Sequence, residues 1–228
     1  MTLPSVQRAM PEWLRRYVLH FEAAIEDAVA ACAQSLAPGA RVLDAGAGEG
    51  RYKRWFVRHR YIGADLAIGD PAWSYAGLDV ITDLERLPFR DAVFDAALNI
   101  VTLEHVREPA RVLSELHRTL VPGGSLLLIV PQEWEVHQQP HDYYRYTRFG
   151  VAHLLECAGF TDLSIRPVGG YFRLLARRLL NGLQFFRGPL VVPAAVLLVP
   201  PALVLPLFER LDRTRSFTLG YVCTARRS

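Results

Sequence analysis

The sequence predicts an α/β fold in which helices cover both faces of a doubly wound, mostly parallel sheet. Short apolar runs alternate with helical patterns along the first two thirds of the 228 residues, which is typical of βαβ crossovers. A glycine-rich turn follows the first apolar run, in RVLDAGAGEGRY at positions 41–52. Hydrophobic residues make up 51% of the chain and charged residues 21%, so a substantial core can form and disorder is excluded.

The predicted elements begin with a helix over residues 12–36, where apolar side chains recur at steps of three and four. The predicted strands are Arg41–Ala45, Tyr61–Asp65, Ala92–Asn99 and Ser125–Val130. The predicted helices between and after them are Arg51–His59, Pro109–Leu120 and Arg148–Ala158. Parallel sheets bind ligands beyond the carboxyl ends of their strands, so we expect the loops there to carry function.

The glycine-rich turn predicts a ligand that lies close to the main chain. Gly46, Gly48 and Gly50 follow the first strand, and glycine admits a ligand that any Cβ would block. Asp44 offers an acceptor to the turn amides or to a cationic ligand group. Asp65 ends the second strand about 20 residues on, where an acid commonly binds ribose hydroxyls. The GxGxG spacing differs from the GxGxxG dinucleotide fingerprint, and this difference disfavours a nucleotide-dependent oxidoreductase. A turn with a purely structural role is a second alternative to a ligand-binding turn.

Residues 82–132, TDLERLPFRDAVFDAALNIVTLEHVREPARVLSELHRTLVPGGSLLLIVPQ, carry a resemblance to a known family. This block closely resembles the centre of class I S-adenosylmethionine-dependent methyltransferases, the type-11 group. The resemblance runs from about Arg41 to Phe160, with several motifs in the right order. It implies a Rossmann-like sheet of seven strands, six parallel and an antiparallel last one. It also implies methyltransferase activity with S-adenosyl-L-methionine as cofactor.

The resemblance also implies the cofactor-binding residues. The turn would cradle the methionine and ribose portions, and Asp65 would hold the ribose hydroxyls. Asp83 would face the adenine amino group, with a backbone contact from Leu84, and Asn99 would meet the methionine end. The predicted set is Asp44, Ala45, Gly46, Gly48, Gly50, Asp65, Leu66, Asp83, Leu84 and Asn99. The intact acids weigh against the non-enzyme alternative, a catalytically silent methyltransferase fold that serves as a subunit of a membrane complex.

Two stretches that follow strands carry the candidate catalytic residues. LEHV contains His105, and EVHQQPHDYYRYT spans residues 135–147. Histidine readily exchanges a proton near neutral pH, as a base for a hydroxyl acceptor must. His141 followed by Asp142 could form an oriented base, whereas packing against the turn is the alternative for His105. The predicted catalytic residues are His141, His105, Tyr144 and Arg145.

Metal and nucleic-acid partners are not predicted. His137, His141 and Asp142 could be drawn as a metal site, but no further ligand pattern supports one. No Asn-Pro-Pro-Tyr-like motif for nucleic-acid methylation occurs. Loops similar to HDYYRYT occur in family members that act on glycans or lipid-linked intermediates, and in quinone-ring O-methyltransferases. The resemblance therefore implies a small-molecule or lipid-linked acceptor.

A long apolar segment precedes the C-terminal residues. Gly188–Phe208 contains no charged residue and is long enough to span a bilayer. Its five prolines weaken a continuous helix. The sequence SFTLGYVCTARR at 216–227 looks like the seventh strand, which must rejoin the sheet, and a single crossing would put it on the wrong side of the membrane. We therefore predict a shallow or re-entrant membrane segment, with a lid or dimer contact as the alternative.

The preceding residues favour an interfacial helix. Arg173, Arg177, Asn181 and Gln184 share one helical stripe, opposite a leucine- and phenylalanine-rich face. Ten arginines against two acids lie between Leu163 and the C-terminus, although the net charge of the whole chain is only +3. Such a concentration of positive charge can mark a surface for phosphates or anionic lipid, with a solvated basic face as the alternative.

We expect one methyltransferase domain over residues 1–228. Its predicted parts are an N-terminal helical segment (1–38), a cofactor-binding core (39–170), an amphipathic helix with the apolar insertion (171–209) and a final strand (214–226). The three cysteines have no metal-ligand spacing, and the N-terminus lacks a signal-peptide pattern. These features predict a cytoplasmic protein, peripheral or monotopic on the inner face of the cell membrane.

Overall fold

The computed structural model describes residues 10–69 and 72–228, so residues 1–9 of the predicted N-terminal segment lie outside the described residues. The strands are β1 Arg41–Ala45, β2 Arg60–Asp65, β3 Val80–Ile81, β4 Phe94–Ile100, β5 Leu120–Pro131, β6 Phe160–Val168 and β7 Gly220–Arg227. The α-helices are α1 Glu12–Val18, α2 His20–Ser35, α3 Pro109–Thr119, α4 Arg148–Cys157, α5 Tyr171–Gly182 and α6 Val191–Val204. Short 3-10 helices occupy Lys53–Trp55, Leu103–His105, Leu183–Phe185, Gly188–Leu190 and Leu205–Leu211.

The seven strands form one mixed sheet in the order β3-β2-β1-β4-β5-β7-β6, with β7 antiparallel to the other six. The registers of the parallel pairs place Asp44 beside Gly63 of β2 and Leu98 of β4. The carboxyl ends of β1, β2 and β4 therefore meet at one edge of the sheet. This architecture confirms the predicted seven-stranded Rossmann-like fold.

The central strands are buried because helices cover both faces of a parallel sheet. Leu43 of β1, Ala97 of β4 and Leu128 of β5 have no solvent exposure, and Leu113 of α3 packs in the same cluster. The polar exceptions in β1 and β4 are Asp44 and Asn99, which are fully buried near the carboxyl ends of their strands. The core thus positions two polar side chains at the edge where ligands bind.

Two predicted helices are wrong in extent. The N-terminal helix is broken at Leu19, whose ψ of 56° is not helical, so α1 and α2 replace one helix. Arg51–His59 forms turns and only a 3-10 helix, because its amides bond to carbonyls three residues back, as from Phe56 to Lys53 and from His59 to Phe56. The side chain of Phe56 is buried against Tyr61.

The final strand begins at Gly220 rather than at residue 214. The residues before it form a turn instead, because the Asp212 carboxylate accepts hydrogen bonds from the Arg215 amide (3.0 Å) and the Thr214 hydroxyl (3.2 Å). A turn held in this way cannot pair with a neighbouring strand.

The chain divides into two compact units. The first comprises Met1–Ala24 with Pro167–Gly220, and the second comprises Ile25–Arg166 with Tyr221–Ser228. The second unit contains most of the sheet and all of the predicted site residues. The first contains α1, α5 and α6, and is hereafter called the helical unit.

Within the helical unit, the basic stripe of α5 faces protein. The Arg173 guanidinium lies 5.5 Å from the centre of the Tyr17 ring and donates to the Tyr17 carbonyl, and the Arg177 guanidinium lies 3.2 Å from the Glu22 carboxylate. The expectation that these arginines face anionic lipid is therefore wrong. The segment Gly188–Leu211 is helical despite its prolines, and among the described residues it is the one candidate membrane span by length and composition.

Candidate active site

The glycine-rich turn lies against the end of β4. Gly46 and Gly48 have φ values of 92° and 53°, which favour glycine. A Cβ on Gly46 would collide with the side chain of Thr102, and a Cβ on Gly48 would lie 3.3 Å from the Trp73 ring. Close approach and backbone conformation therefore both favour glycine at position 46, whereas at position 48 the backbone conformation is the stronger reason.

Asp65 holds the turn in place from the end of β2. One oxygen of its carboxylate accepts the Gly48 amide at 2.9 Å, and the other accepts the Ala67 amide at 2.8 Å. The side chain of Leu66 is exposed beside it. At the end of β3, the exposed Asp83 accepts the Glu85 amide at 2.9 Å. The acids predicted for ribose and adenine thus sit at one sheet edge, and Leu84, after Asp83, is buried.

Two buried acceptors near this edge lack partners among the described residues. The Tyr61 hydroxyl donates to Asp44 Oδ2 at 2.5 Å, but Asp44 Oδ1 has no hydrogen-bond partner. Asn99 Nδ2 donates to the Ala45 carbonyl at 2.8 Å, and Asn99 Oδ1 has no partner. Burial raises the pKa of the Asp44 carboxyl to about 7, against a smaller lowering by Tyr61. A buried polar atom without a partner is costly, so these oxygens suit a ligand that brings a cation or donors.

The loop after β5 is bonded to the 3-10 turn after β4. The amides of Tyr143 and Tyr144 donate to the Glu104 carbonyl at 2.9 and 3.2 Å, and the Tyr146 hydroxyl donates to the Leu103 carbonyl at 2.8 Å. These bonds bring residues 132–147, hereafter the acceptor loop, to the predicted catalytic edge.

His105 is the predicted catalytic residue with the most defined surroundings. Its Nδ1 lies 2.6 Å from the carbonyl oxygen of His141, and its Nε2 lies 3.1 Å from Nε2 of His137. Burial lowers the pKa of His105, which keeps the ring neutral at physiological pH. The side chain can therefore act as a base or as a ligand.

The His141–Asp142 pair does not form. Asp142 instead makes a two-point ion pair with Arg145, at 2.7 and 2.8 Å, and accepts the His137 amide at 2.8 Å. Hydrogen bonds from Arg145 hold the pKa of Asp142 down at about 2. The His141 ring nitrogen Nδ1 lies 3.2 Å from the Tyr143 hydroxyl.

Tyr144 and Arg145 hold the acceptor loop together. Arg145 also donates to the carbonyls of Trp134 and Glu135, and the Tyr144 hydroxyl donates to the Arg107 carbonyl at 2.8 Å. Because these two side chains donate their hydrogen bonds to other groups of the chain, the geometry favours a positioning role for them over direct contact with a substrate.

Comparisons with known proteins identify the domain. A family described as "Methyltransferase domain" matches residues 43–128, the stretch from β1 to β5. The core of this chain is a class I methyltransferase domain of the type-11 group. The cofactor of this family is S-adenosylmethionine.

Curated relatives of the methyltransferase include enzymes with different acceptors. A tRNA (carboxymethyluridine(34)-5-O)-methyltransferase of Arabidopsis thaliana is 36% identical over 49% of this chain and 28% of its own length. A ubiquinone/menaquinone biosynthesis C-methyltransferase of Bordetella avium is 30% identical over 40% of this chain and 41% of its own length. The chain therefore spans well under two thirds of these relatives.

The fold is shared with solved methyltransferase structures. The 1,6-didemethyltoxoflavin-N1-methyltransferase of Burkholderia thailandensis, solved with 1,6-didemethyltoxoflavin and S-adenosylhomocysteine, aligns with a TM-score of 0.59. The two are 23% identical, and the alignment covers 95% of this chain and 86% of that one. The partnerless oxygens of Asp44 and Asn99 and the glycine turn fit S-adenosylmethionine, whose amino-acid portion carries an ammonium group.

The sequence missed two features of the methyltransferase site. Glu104 is fully buried, and in the part of the chain that the structure describes neither of its carboxylate oxygens has a hydrogen-bond partner. Burial raises its pKa to about 8. Trp73 lies over the glycine turn from the β2–β3 loop. The adjacency of Glu104 to His105 in LEHV was a usable signal for the first, whereas only the fold places Trp73.

Proposed function

We propose that this protein transfers the methyl group of S-adenosylmethionine to an oxygen of an amphiphilic, glycan or lipid-linked small molecule at a membrane surface. The observation that carries the proposal is an apolar helical segment exposed between β6 and β7 of a methyltransferase sheet. The proposed location is the cytoplasmic face of the cell membrane.

The exposed apolar surface lies on the helical unit. Only 17% of the most apolar window of Gly188–Leu211 is buried. Its exposed large side chains, with those just before it, are Phe185, Phe186, Leu190, Val191, Val192, Val196, Leu197, Val204, Leu207, Phe208 and Leu211. A continuous exposed apolar surface of this kind marks a membrane or protein contact. The absence of charge along Gly188–Phe208 favours the membrane over a protein partner.

The sheet topology supports shallow insertion rather than a single crossing. The chain enters the apolar segment after β6 and returns to β7, and β6 and β7 are neighbours in one sheet. Both ends of the segment must therefore lie on the same side of a bilayer. Because Arg173 and Arg177 contact Tyr17 and Glu22, apolar insertion carries more of the proposed membrane affinity than charge does.

The proposed chemistry needs positioning and a base. S-adenosylmethionine, when bound, supplies a methyl group on a sulfonium that an oxygen can attack in line. The glycine turn and Asp65 would hold the nucleoside portion, and Asp44 the cationic portion. His105 would accept the hydroxyl proton at Nε2, because its Nδ1 proton is held by the His141 carbonyl. Proximity supplies much of the remaining acceleration.

The test combines labelled donor with two acceptor pools. Purified protein is incubated with methyl-labelled S-adenosylmethionine and either a total lipid extract or total tRNA. Label that appears in the lipid extract supports the proposal. That label should disappear when lipid-linked saccharides are digested under mild conditions or when the lipid is removed. Label in tRNA instead supports the second candidate, a tRNA methyltransferase, which the 36% identity to the Arabidopsis thaliana enzyme favours. Donor binding with no label in any cell fraction supports a silent fold.

Membrane attachment is tested separately by vesicle flotation. The full chain should float with vesicles, and a variant lacking residues 188–208 should not. High salt should leave much of the binding in place, because apolar insertion is not screened. A full chain that ignores vesicles would leave the apolar segment as a lid or dimer contact.

A further inference from the structure

Three side chains that are typical metal ligands converge between the 3-10 turn after β4 and the acceptor loop. They are Glu104, His105 and His137, and one ligand atom from each lies within 4.8 Å of the others. The two histidine Nε2 atoms are 3.1 Å apart, and Glu104 Oε1 is 3.7 Å from His105 Nε2. This trio differs from the one that the sequence suggested, because His141 and Asp142 are engaged elsewhere.

The hydrogen bonds on the far side of each ring fix which nitrogen carries the proton. His105 Nδ1 lies 2.6 Å from the His141 carbonyl, and His137 Nδ1 lies 3.1 Å from the Glu135 carbonyl. A carbonyl oxygen can only accept, so these two contacts favour a proton on both Nδ1 atoms; the Arg145 guanidinium, a donor, lies farther from His137 Nδ1, at 3.5 Å. Both Nε2 atoms then present lone pairs to each other at 3.1 Å, an arrangement that is repulsive unless a cation lies between them.

Glu104 adds a buried carboxyl group at the same point, and a bound cation would favour its ionised form. Its side chain has no solvent exposure, and within residues 10–69 and 72–228 neither carboxylate oxygen has a hydrogen-bond partner. Proteins rarely bury a carboxylate in this state, because the unpaired group is costly. A single bound cation would satisfy both the two opposed lone pairs and the carboxyl group that has no partner.

We propose that Glu104, His105 and His137 bind a divalent transition-metal ion, with zinc as the representative. Zinc binds imidazole nitrogens at about 2.0–2.1 Å, so two tetrahedral ligands are about 3.3 Å apart. The observed separation of the two Nε2 atoms, 3.1 Å, agrees with that value. Two histidines and one carboxylate are a recurrent set for zinc and iron(II).

The surroundings of the site hold the ligands as metal sites require. The His141 carbonyl orients His105, and the Asp142 carboxylate, fixed by Arg145, accepts the backbone amide of His137. Hydrogen bonds of this kind orient ligands in known metal sites. Three protein ligands leave at least one position open, and we assign it to the acceptor oxygen, whose proton the bound metal would then help to release in place of His105 Nε2. That role, unlike the binding itself, rests on the proposed methyl transfer to oxygen.

The test measures metal binding directly. Protein freed of metal by chelation and dialysis is titrated with zinc by calorimetry and with cobalt(II) by visible absorption, and zinc content is counted by mass spectrometry. We expect one equivalent per chain and cobalt bands typical of four or five ligands. Glu104→Gln and His137→Ala should each weaken binding at least ~10-fold, the lower end of the effects of perturbing a metal site.

A surface pair supplies the matched control. His153 and Cys157 lie one helical turn apart, with Sγ 3.7 Å from the ring nitrogens, and could bind zinc weakly. His153→Ala should keep the full equivalent. Loss of zinc in His153→Ala but not in His137→Ala would show an adventitious ion only and would overturn the proposal. Wild-type protein that is freed of metal and then binds neither zinc nor cobalt(II) would overturn it too.

The same samples separate this inference from the proposed function. S-adenosylmethionine binding and thermal stability are measured on each variant, and His137→Ala, on the loop, keeps the test open if Glu104→Gln does not fold. A wild-type chain that binds the donor but no metal overturns the metal site alone. A chain that binds metal but labels no acceptor keeps the metal site and contradicts the methyl transfer.

Discussion

The donor affinity of this protein should depend on pH through Asp44. Its carboxyl is fully buried, with Oδ1 unpaired, and burial raises its pKa from 3.8 to about 7. A bound cation beside it favours the ionised form and lowers that pKa again. Donor binding should therefore release a proton below pH 7, and affinity should rise with pH until the free protein is ionised.

The magnitude follows from these two pKa values. If the bound complex returns Asp44 to its ordinary value, affinity changes about tenfold per pH unit below pH 7, or about 30-fold between pH 5.5 and pH 8. The unliganded fold behaves in the opposite sense. Its raised pKa means that the folded state holds a proton that the unfolded state has lost, so stability falls by about 4 kcal/mol as pH rises from about 4 to 7.

Calorimetry of S-adenosylmethionine binding at pH 5.5, 6.5, 7.5 and 8, in buffers of different ionisation enthalpy, measures both affinity and proton release. Asp44→Asn keeps an acceptor for the Tyr61 hydroxyl but cannot ionise, so its affinity should be low and independent of this titration. An affinity for the wild type that is equal at pH 5.5 and pH 8 would refute the reasoning. So would a pH slope that persists unchanged in Asp44→Asn.

Three further outcomes are expected. Asp65→Ala should weaken donor binding by on the order of 1–3 kcal/mol, because the Gly48 amide and the ribose lose an acceptor; unchanged affinity by calorimetry, or tight binding of a nicotinamide dinucleotide, would contradict the assignment. His105→Ala should lower turnover by ~100-fold or more and leave donor affinity unchanged. His141→Ala should lower turnover by less, because His141 contacts His105 through its main-chain carbonyl, which the substitution keeps. The reverse order in a turnover assay would indicate that His141 is the base. Val196→Asp, on the exposed apolar face, should reduce vesicle flotation while Val196→Leu does not, and equal flotation of both variants would exclude this face.

The central sheet could be predicted because each strand is a short apolar run bounded by a turn. Arg41–Ala45 coincides with β1, and Pro109–Leu120 ends one residue beyond α3, since periodicity and breakers suffice there. Residues 51–59 were mistaken for a helix because apolar periodicity cannot distinguish an α-helix from turns that bury Phe56. The break at Leu19 likewise has no local breaker in the sequence.

The predicted cofactor-binding acids lie at one sheet edge for a physical reason that does not extend to the predicted catalytic residues. Asp44, Asp65 and Asn99 end or follow strands, so topology alone gathers them. The conformation of the acceptor loop depends instead on contacts between its own side chains. Asp142 pairs with Arg145 rather than with its neighbour His141, because an ion pair with two hydrogen bonds is stronger. Sequence adjacency could not reveal that preference, nor could it reveal that the Glu104 carboxylate points inward.

The helical unit reverses the arrangement expected of helices in water. The guanidinium groups of Arg173 and Arg177 face Tyr17 and Glu22 inside the unit, whereas Val196 and Leu197 face outward. Partly burying two arginines costs desolvation, which the Tyr17 ring and the Glu22 carboxylate offset, and exposing large apolar side chains forgoes about 25 cal/mol for each Å². The second cost falls when the outer face lies against hydrocarbon, because the exposed side chains then leave water, and the first is unchanged because the two arginines keep their partners. If the proposed membrane contact forms, Arg173 and Arg177 should therefore contribute little to it by charge, because Arg177 is paired with Glu22 and Arg173 lies against Tyr17.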